Sequence, residues 1–246
     1  MISPVFELVG VSKTYRSSHF FKKISTRGLD DLTLSLNTNE VLALIGLNGS
    51  GKTTTIKIML GLITPDSGTL RLFGRSGVDN ASKKNIGYLP EIPYFNLDFT
   101  PREILGFWGG LSELKGNNLK NRIAEVLEYT SIHEAADRPI RGFSRGMLQR
   151  LGICQSILAD QELLILDEPM GGLDPLGVIN MRELILKLKK DGKSIFFSSH
   201  IIGQVEKIAD RIAIIHRGRI LNISDNKTDV ETEFLETIRK YDIEHK

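Results

Sequence analysis

The sequence contains a single cysteine, Cys154, among 246 residues. One thiol excludes an internal disulfide and any metal site built from cysteines alone, and it is typical of a reducing compartment. Long apolar runs are also absent, since none approaches the ~18 residues that a transmembrane helix needs. Residues 1–7 have neither the basic region nor the long apolar region of a secretory signal peptide. From these absences we expect a soluble chain in the cytoplasm.

An excess of one charge is missing as well, because 32 Lys and Arg face 30 Asp and Glu, for a net charge of +2. Such a chain has no global field that attracts nucleic acid or anionic lipid, and we predict no nucleic-acid partner. The apolar residues make up 41% of the sequence, which is enough for a buried core. The length suits one large α/β domain, or a core with a modest subdomain.

A glycine-rich segment that fits the pattern G-x-x-x-x-G-K-[ST] lies between an apolar run, 41–45, and a helix-like run, 53–60. It consists of Gly46-Leu47-Asn48-Gly49-Ser50-Gly51-Lys52-Thr53-Thr54. Its glycines let the backbone turn tightly and direct N–H groups inward at a helix N-terminus, which binds anions. Lys52 would reach the β- and γ-phosphates, and the Thr53 hydroxyl would hold Mg²⁺. An ordinary turn needs neither side chain, so we predict a nucleoside triphosphate site.

The remaining chain alternates strand-like and helix-like patterns. Strands are predicted over 5–9, 29–45 with a polar turn at 37–39, 69–73, 86–89, 163–166, 194–198 and 211–215. Helices are predicted over 53–60, from a Thr100 cap onwards, over 119–129 and 176–190, after residue 200, and in the tail 225–246. This alternation predicts a mostly parallel sheet with a helical insert between two of its strands.

The segment 13–28 is basic, with Lys13, Arg16 and Arg27 among its cations and no acidic residue in it. We interpret it as a solvated loop. Phe20 and Phe21 lie within the basic run, so a contact with lipid headgroups or a membrane partner is the alternative.

Two adjacent carboxylates, Asp167 and Glu168, follow the apolar run 163–166. Such a run is typical of a strand buried on both faces of a parallel sheet, and open α/β sheets bind ligands at the carboxyl edge. Asp167 could hold Mg²⁺ through water, and Glu168 could act as the base or orient the attacking water. The alternative, a capping or loop role, is less favoured because a phosphate loop lies upstream.

Further motifs accompany the phosphate loop in a fixed order. They are Tyr15, then Phe143-Ser144-Arg145-Gly146-Met147 followed by Leu148-Gln149-Arg150, then Gly172-Leu173-Asp174, and then Ser199-His200. Together with 46–54 and 163–168, these motifs resemble the nucleotide-binding ATPase subunit of ABC transporters over roughly residues 5–222.

The resemblance implies ATP and Mg²⁺ as cofactors and a role for each motif. Tyr15 would stack on adenine, and residues 46–54 would bind the phosphates. Ser144 and Gly146 would meet the γ-phosphate held by a second copy, with Asp174 in the adjoining loop, so two copies would form a nucleotide-sandwich dimer. Glu168 and His200 would be catalytic, and Thr53, Asp167 and Glu91 would be the metal-site residues.

The resemblance also implies an architecture: an α/β P-loop NTPase core with a mostly parallel sheet, an N-terminal antiparallel β subdomain and an inserted α-helical subdomain. The core and β subdomain would occupy 5–92 and 160–222, the helical insert 93–159 and a C-terminal helical tail 223–246. The partner would be an integral membrane permease in a separate chain, which places the protein peripherally at the inner face of the cell membrane.

The chain departs from the family pattern at the signature and before it. Glu91 stands where the family usually has glutamine, and a carboxylate cannot donate an amide hydrogen bond. Arg145 and Met147 stand where glycine and glutamine are commonest. The run Tyr88-Leu89-Pro90-Glu91, the Ser-Arg-Gly-Met signature and the Gly-Leu-Asp-Pro run resemble the ABC-2 type exporter group.

Two other functions share parts of this pattern. A GTPase would carry Asn-Lys-x-Asp, and residues 226–229 spell Asn-Lys-Thr-Asp, but they lie in the acidic tail rather than at a buried strand end. A non-transport ABC-type regulatory ATPase with a soluble partner is the alternative to a transporter subunit.

Overall fold

The computed structural model describes residues 4–19, 22–225 and 229–245, so Phe20, Phe21 and most of the Asn-Lys-Thr-Asp run lie outside the described residues. The strands are β1 Pro4–His19, β2 Lys22–Asn37, β3 Val41–Ile45, β4 Ser67–Leu72, β5 Arg75–Ser76, β6 Ile86–Leu89, β7 Leu163–Leu166, β8 Ser194–Ser199, β9 Arg211–His216 and β10 Arg219–Asp225. The helices are α1 Lys52–Met59, α2 Asn80–Lys84, α3 Pro101–Leu111, α4 Gly116–Tyr129, α5 Arg145–Ile157, α6 Pro175–Lys190, α7 Ile202–Val205 and α8 Val230–Glu244.

A six-stranded sheet in the order β10-β9-β3-β8-β7-β6 forms the centre of the molecule. Its strands run parallel except for β10, which pairs antiparallel with β9. Every residue of β3 and β7 is buried, because helices and the second sheet cover both faces. The prediction of a mostly parallel α/β sheet is therefore confirmed.

A second, antiparallel sheet has the order β2-β1-β4-β5. Here the loop predicted over 13–28 is wrong, because β1 and β2 continue as a hairpin whose pairing extends to His19 opposite Lys22. The sequence pattern missed it because residues 13–28 lack the regular alternation of apolar and polar residues that predicts a strand. Two of its cations are paired: Lys13 Nζ lies 2.9 Å from an Asp66 carboxylate oxygen, and Arg27 Nη1 lies 2.7 Å from Asp30 Oδ2.

Three short or late elements were not predicted: β5, α2 and β10. The helix α2 has only five residues, and its N-cap is Asp79, whose carboxylate accepts a hydrogen bond from the Ser82 N–H at 2.7 Å. Strand β10 lies within the stretch that the sequence left between the last predicted strand and the tail helix. Its side chains are only partly buried at the sheet edge, so its apolar signal is weak.

The helices between β6 and β7 begin as the sequence indicates. Thr100 and Glu103 form a reciprocal capping box at the start of α3, with Thr100 N–H donating to the Glu103 carboxylate at 2.8 Å. The helix α5 then packs directly on β6. No helix within the described ranges is long and apolar enough to cross a membrane.

Glycine permits this close approach of α5 to β6. A Cβ atom at Gly87 would overlap the carbonyl oxygen of Ser156 and lie 2.7 Å from Leu164 Cδ2. A Cβ atom at Gly152, on the opposite side of the contact, would overlap Leu89 Cδ1. The contact therefore depends on the absence of side chains, and it positions the N-terminus of α5 relative to the sheet.

We predict that Gly87→Ala lowers the free energy of unfolding by about 2 kcal/mol or more, because the new methyl group meets backbone that cannot move freely. Gly106→Ala is the matched control: a Cβ atom there meets nothing within 4 Å, and the residue lies inside α3. The control should raise the free energy of unfolding by up to about 1 kcal/mol. Urea unfolding curves measure both values, and an unchanged midpoint for Gly87→Ala would contradict the packing argument.

Candidate active site

The loop between β3 and α1 adopts the conformation that its glycines predict. Gly49 and Gly51 have φ values of 78° and 119°, a region that side chains with a Cβ atom rarely adopt. Gly46 is needed for a different reason, the close approach of Ile215: a Cβ atom at residue 46 would overlap the Ile215 carbonyl oxygen and lie 2.8 Å from Ile215 Cγ2. The turn after β9 also supports the loop, since Gly218 N–H donates to the Ser50 carbonyl at 2.8 Å.

The Lys52 side chain is buried inside this loop. Its Nζ donates to the Gly46 carbonyl at 2.8 Å and lies 3.6 Å from Glu168 Oε1. The ammonium group therefore bridges the loop and the carboxylate that follows β7. An anion that enters the loop finds this cation already in place.

The Ser50 hydroxyl is one of the buried side-chain atoms that lack a hydrogen-bond partner in the described part of the chain. A buried hydroxyl without a partner costs roughly 1–3 kcal/mol. Its position beside the α1 N-terminus fits a phosphate oxygen, because the N-terminal N–H groups of the helix also lack intrahelical partners. The loop therefore fits the triphosphate that its sequence predicts.

The carboxylates after β7 are held by the neighbouring strand. The Ser198 hydroxyl donates to Asp167 Oδ1 at 2.6 Å and accepts from the Glu168 N–H at 3.0 Å. Glu168 Oε2 lies 2.8 Å from His200 Nδ1. Glu168 has a φ of 47°, which is strained for a residue with a Cβ atom and occurs preferentially at functional sites.

Burial is the main cause that raises the pKa of Asp167 above its usual value. The hydrogen bond from Ser198 opposes that shift, while the nearby charges of Glu168 and Glu91 add to it. A carboxyl group in this environment gains from a nearby cation, because a positive charge stabilises its ionised form.

The structure brings most predicted site residues to one cavity of about 330 Å³. Its predicted lining residues are Tyr15, Asn48, Gly49, Ser50, Gly51, Lys52, Thr53, Thr54, Glu91, Asp167, Glu168 and His200. Gly46 does not line the cavity, but its carbonyl accepts a hydrogen bond from Lys52 Nζ. The Glu91 side chain is exposed, and its backbone carbonyl accepts from Gln149 Nε2 at 2.9 Å.

Thr26, Arg27, Gly28 and Leu47 also line this cavity, and the first three belong to the hairpin that the sequence interpretation treated as a loop. Gly28 gives room to the Tyr15 ring, because a Cβ atom there would lie 2.7 Å from Tyr15 Cε2. Ser198 was missed because nothing in a buried strand distinguishes a serine that contacts the next strand's carboxylate.

Ser144, Gly146 and Asp174 lie at a different cavity, of about 380 Å³. Ser144 is the N-cap of α5, and its hydroxyl accepts from the Met147 N–H at 3.3 Å. Asp174 is the N-cap of α6, and its carboxylate accepts from the Gly177 N–H at 2.6 Å. The predicted site residues therefore form two groups within one chain.

The residues predicted to hold Mg²⁺ supply the oxygen donors that this ion prefers: the Thr53 hydroxyl and the Asp167 and Glu91 carboxylates. The described residues contain no cluster of three or more His, Cys, Asp or Glu that could bind a metal by itself. This arrangement fits Mg²⁺, which is usually bound through one or two protein groups together with substrate phosphates.

Comparisons with known proteins agree with this geometry. The ABC transporter family model matches residues 29–171. An uncharacterised ABC transporter ATP-binding protein of a Nostoc species is 43% identical over 213 residues, which cover 85% of this chain and 63% of that protein. The bacitracin transport ATP-binding protein BcrA of Bacillus licheniformis is 40% identical over 200 residues, which cover 80% of this chain and 64% of BcrA.

Among solved structures, a dimeric ATP-binding cassette in a post-hydrolysis state, bound to ADP and Pi, superposes with a TM-score of 0.80. The alignment covers 91% of this chain and 100% of that one at 20% identity, which establishes the shared fold. The chain spans about 63% of the length of the Nostoc relative. Because the family model covers more than half of the chain, and the fold and the sequence relatives agree with it, the chain belongs to the ABC transporter family as an ATP-binding protein.

Proposed function

We propose that this chain binds and hydrolyses ATP with Mg²⁺, as one half of a dimer, and thereby drives export by a separate membrane-spanning permease. The observation that carries this proposal is the convergence of Lys52, Asp167, Glu168 and His200 on the cavity that also contains the phosphate loop. A loop that only binds phosphate needs a lysine such as Lys52, but not Asp167, Glu168 or His200. Hydrolysis needs in addition a base and a group that positions water.

Within this site each side chain has a distinct task. Lys52 and the loop N–H groups bind the phosphates, and Tyr15 stacks on the base. Glu168 accepts a proton from the attacking water, and His200, 2.8 Å away, orients that carboxylate and the γ-phosphate. Thr53, Asp167 and Glu91 would hold Mg²⁺, which would supply positive charge to the triphosphate.

The separation of the two cavities supports a dimer. Ser144 and Gly146 lie at the start of α5, whose N-terminus favours a negative group, but the phosphate loop of the same chain lines another cavity. A second copy brings its nucleotide to this helix. The cassette of the same fold that binds ADP and Pi is itself dimeric, which supports the same assembly here.

Exposed apolar side chains between β6 and α4 support a protein partner. Ile92, Tyr94, Phe107 and Leu111 are 71%, 94%, 62% and 62% exposed. Large apolar groups exposed together are typical of interaction sites. We assign these side chains to the contact with the permease, so the helical insert 93–159 transmits closure from the core, formed by 5–92 and 160–222. The tail 223–246 belongs to the same cassette, since Val230 and Phe234 of α8 are buried in its core. The chain lies at the inner face of the cell membrane.

Export is the direction that one relative favours, because a protein of Ralstonia nicotianae that is 31% identical to this chain is named a Nod factor export ATP-binding protein. Affinity purification from solubilised membranes tests this part directly. We expect an integral membrane protein with several spans to accompany the tagged chain. Recovery of a soluble protein in its place would favour the non-transport ATPase instead.

Replacing Glu168 by Gln should abolish ATP turnover and trap an ATP-bound dimer, because the amide still fills the site but cannot accept a proton. Phosphate release measures the turnover, and light scattering after size-exclusion chromatography measures the dimer. Glu162→Gln, a change of the same kind outside the cavity, is the control and should keep normal turnover. Normal turnover in Glu168→Gln would exclude Glu168 as the base.

Replacing Ser198 by Ala should move the acid limb of the turnover profile to higher pH. The Ser198 hydroxyl lowers the pKa of Asp167, against burial that raises it, so its loss raises this pKa further. Since ionised Asp167 is the form that holds the metal, the site would then fail at a higher pH. Ser194→Ala is the control on the same strand, because its hydroxyl accepts from the Asn39 N–H instead. An acid limb at the wild-type position in Ser198→Ala would contradict the assignment.

A further inference from the structure

The Arg145 side chain lies flat against a glycine pair of its own chain. A Cβ atom at Gly172 would lie 2.5 Å from Arg145 Nη1 and 2.6 Å from its Cζ. At the neighbouring Gly171 it would lie 3.8 Å from Arg145 Nη2. The guanidinium group therefore covers the backbone at the start of the loop that leads to α6, and only glycine at 172 leaves room for it.

The donors of this guanidinium group are not used within the described part of the chain. Arg145 is exposed, and no hydrogen bond or ion pair joins its side chain to a described residue. Arg102, in contrast, pairs with Asp137 at 2.8 Å. Packing on the glycines restricts the Arg145 side chain, while its five N–H donors stay available to a partner from outside.

The cavity around Arg145 favours an anion. It is lined by the first turns of both α5 and α6, which point the positive ends of their dipoles toward it. Arg150 adds a second cation to the lining, although its Nη1 donates to the Ser131 carbonyl at 3.3 Å. Asp174 is the one carboxylate among the lining residues, and it is engaged by the Gly177 N–H at 2.6 Å.

We propose that Arg145 is a phosphate ligand supplied in trans: in the dimer, its guanidinium group binds the γ-phosphate of the ATP held by the phosphate loop of the second copy. The inference rests on the proposed function, because it needs the ATP-bound dimer. It adds a side-chain cation to Ser144 and Gly146, between which Arg145 lies in the sequence. A planar guanidinium group can donate two parallel hydrogen bonds to phosphate oxygens, which a glycine at this position cannot do.

The arrangement divides the positive charge of each site between two chains. Lys52 acts on the nucleotide of its own chain, and Arg145 acts on the nucleotide of the partner. A cation in trans stabilises the charge on the transferred phosphoryl group and makes closure sensitive to the γ-phosphate. Arg145 also rests on Gly171, whose N–H donates to the Glu168 carbonyl at 2.9 Å. Arg145 therefore contacts the loop that begins at Glu168, the proposed catalytic base of the same chain.

The test uses the full chain in the Glu168→Gln background. Arg145→Ala should raise the ATP concentration needed for half-maximal dimer formation by about tenfold or more, the loss expected for a hydrogen bond to a charged group. Binding of a fluorescent ATP analogue to the monomer should change by less than about twofold, since the loop around Lys52 is intact. Arg145→Lys should restore part of the effect, because lysine keeps the charge but not the paired donors.

Arg138→Ala is the matched control, since it removes an equal charge from an exposed position outside the cavity and should leave dimer formation within about twofold of the parent. With Glu168 restored, Arg145→Ala should also lower kcat. Dimer formation by Arg145→Ala at the parent's ATP concentration would overturn this proposal alone. If wild type did not hydrolyse ATP and Glu168→Gln did not dimerise, both this proposal and the proposed function would be overturned.

Discussion

The rest of the site depends on the contacts of the buried Lys52 ammonium group. This group joins the Gly46 carbonyl, at 2.8 Å, to the Glu168 carboxylate, at 3.6 Å, and so connects the loop after β3 with the loop after β7. A buried charge costs several kcal/mol unless it is paired. The two loops supply that pairing, and their geometry is therefore coupled to the position of one cation.

The parallel sheet determines which side chains can meet around this cation. In the sheet, β8 lies between β3 and β7, so the carboxyl ends of all three strands reach one edge. The phosphate loop, the two carboxylates and His200 each follow one of these strands. Ser198 then fixes the carboxylates from the middle strand by contacting both Asp167 and the Glu168 N–H. The order of the strands in the sheet therefore determines which side chains come together in the site.

The start of α5 lies at a separate cavity, and small residues determine its position. Gly87 lets the helix approach β6, and Gly172 leaves room for Arg145 beside the first turn. The helix therefore presents its N-terminus and an arginine away from the nucleotide cavity of the same chain. A chain with this geometry has two separate cavities, and our proposals for dimerisation and for Arg145 both rest on that separation.

The sequence alone determined the elements that bury a clear apolar pattern or carry a cap, such as β7, the phosphate loop and the start of α3 at Thr100, because local residue order is sufficient for these. It also indicated which residue types would line the nucleotide cavity. Only the tertiary structure decided that β1 and β2 pair beyond residue 13 and bring Arg27 and Gly28 to that cavity. It also decided that Ser198 contacts the carboxylates and that Arg145 rests on Gly172. These features are contacts between segments distant in the chain, and no local pattern encodes which strand or loop a side chain will face.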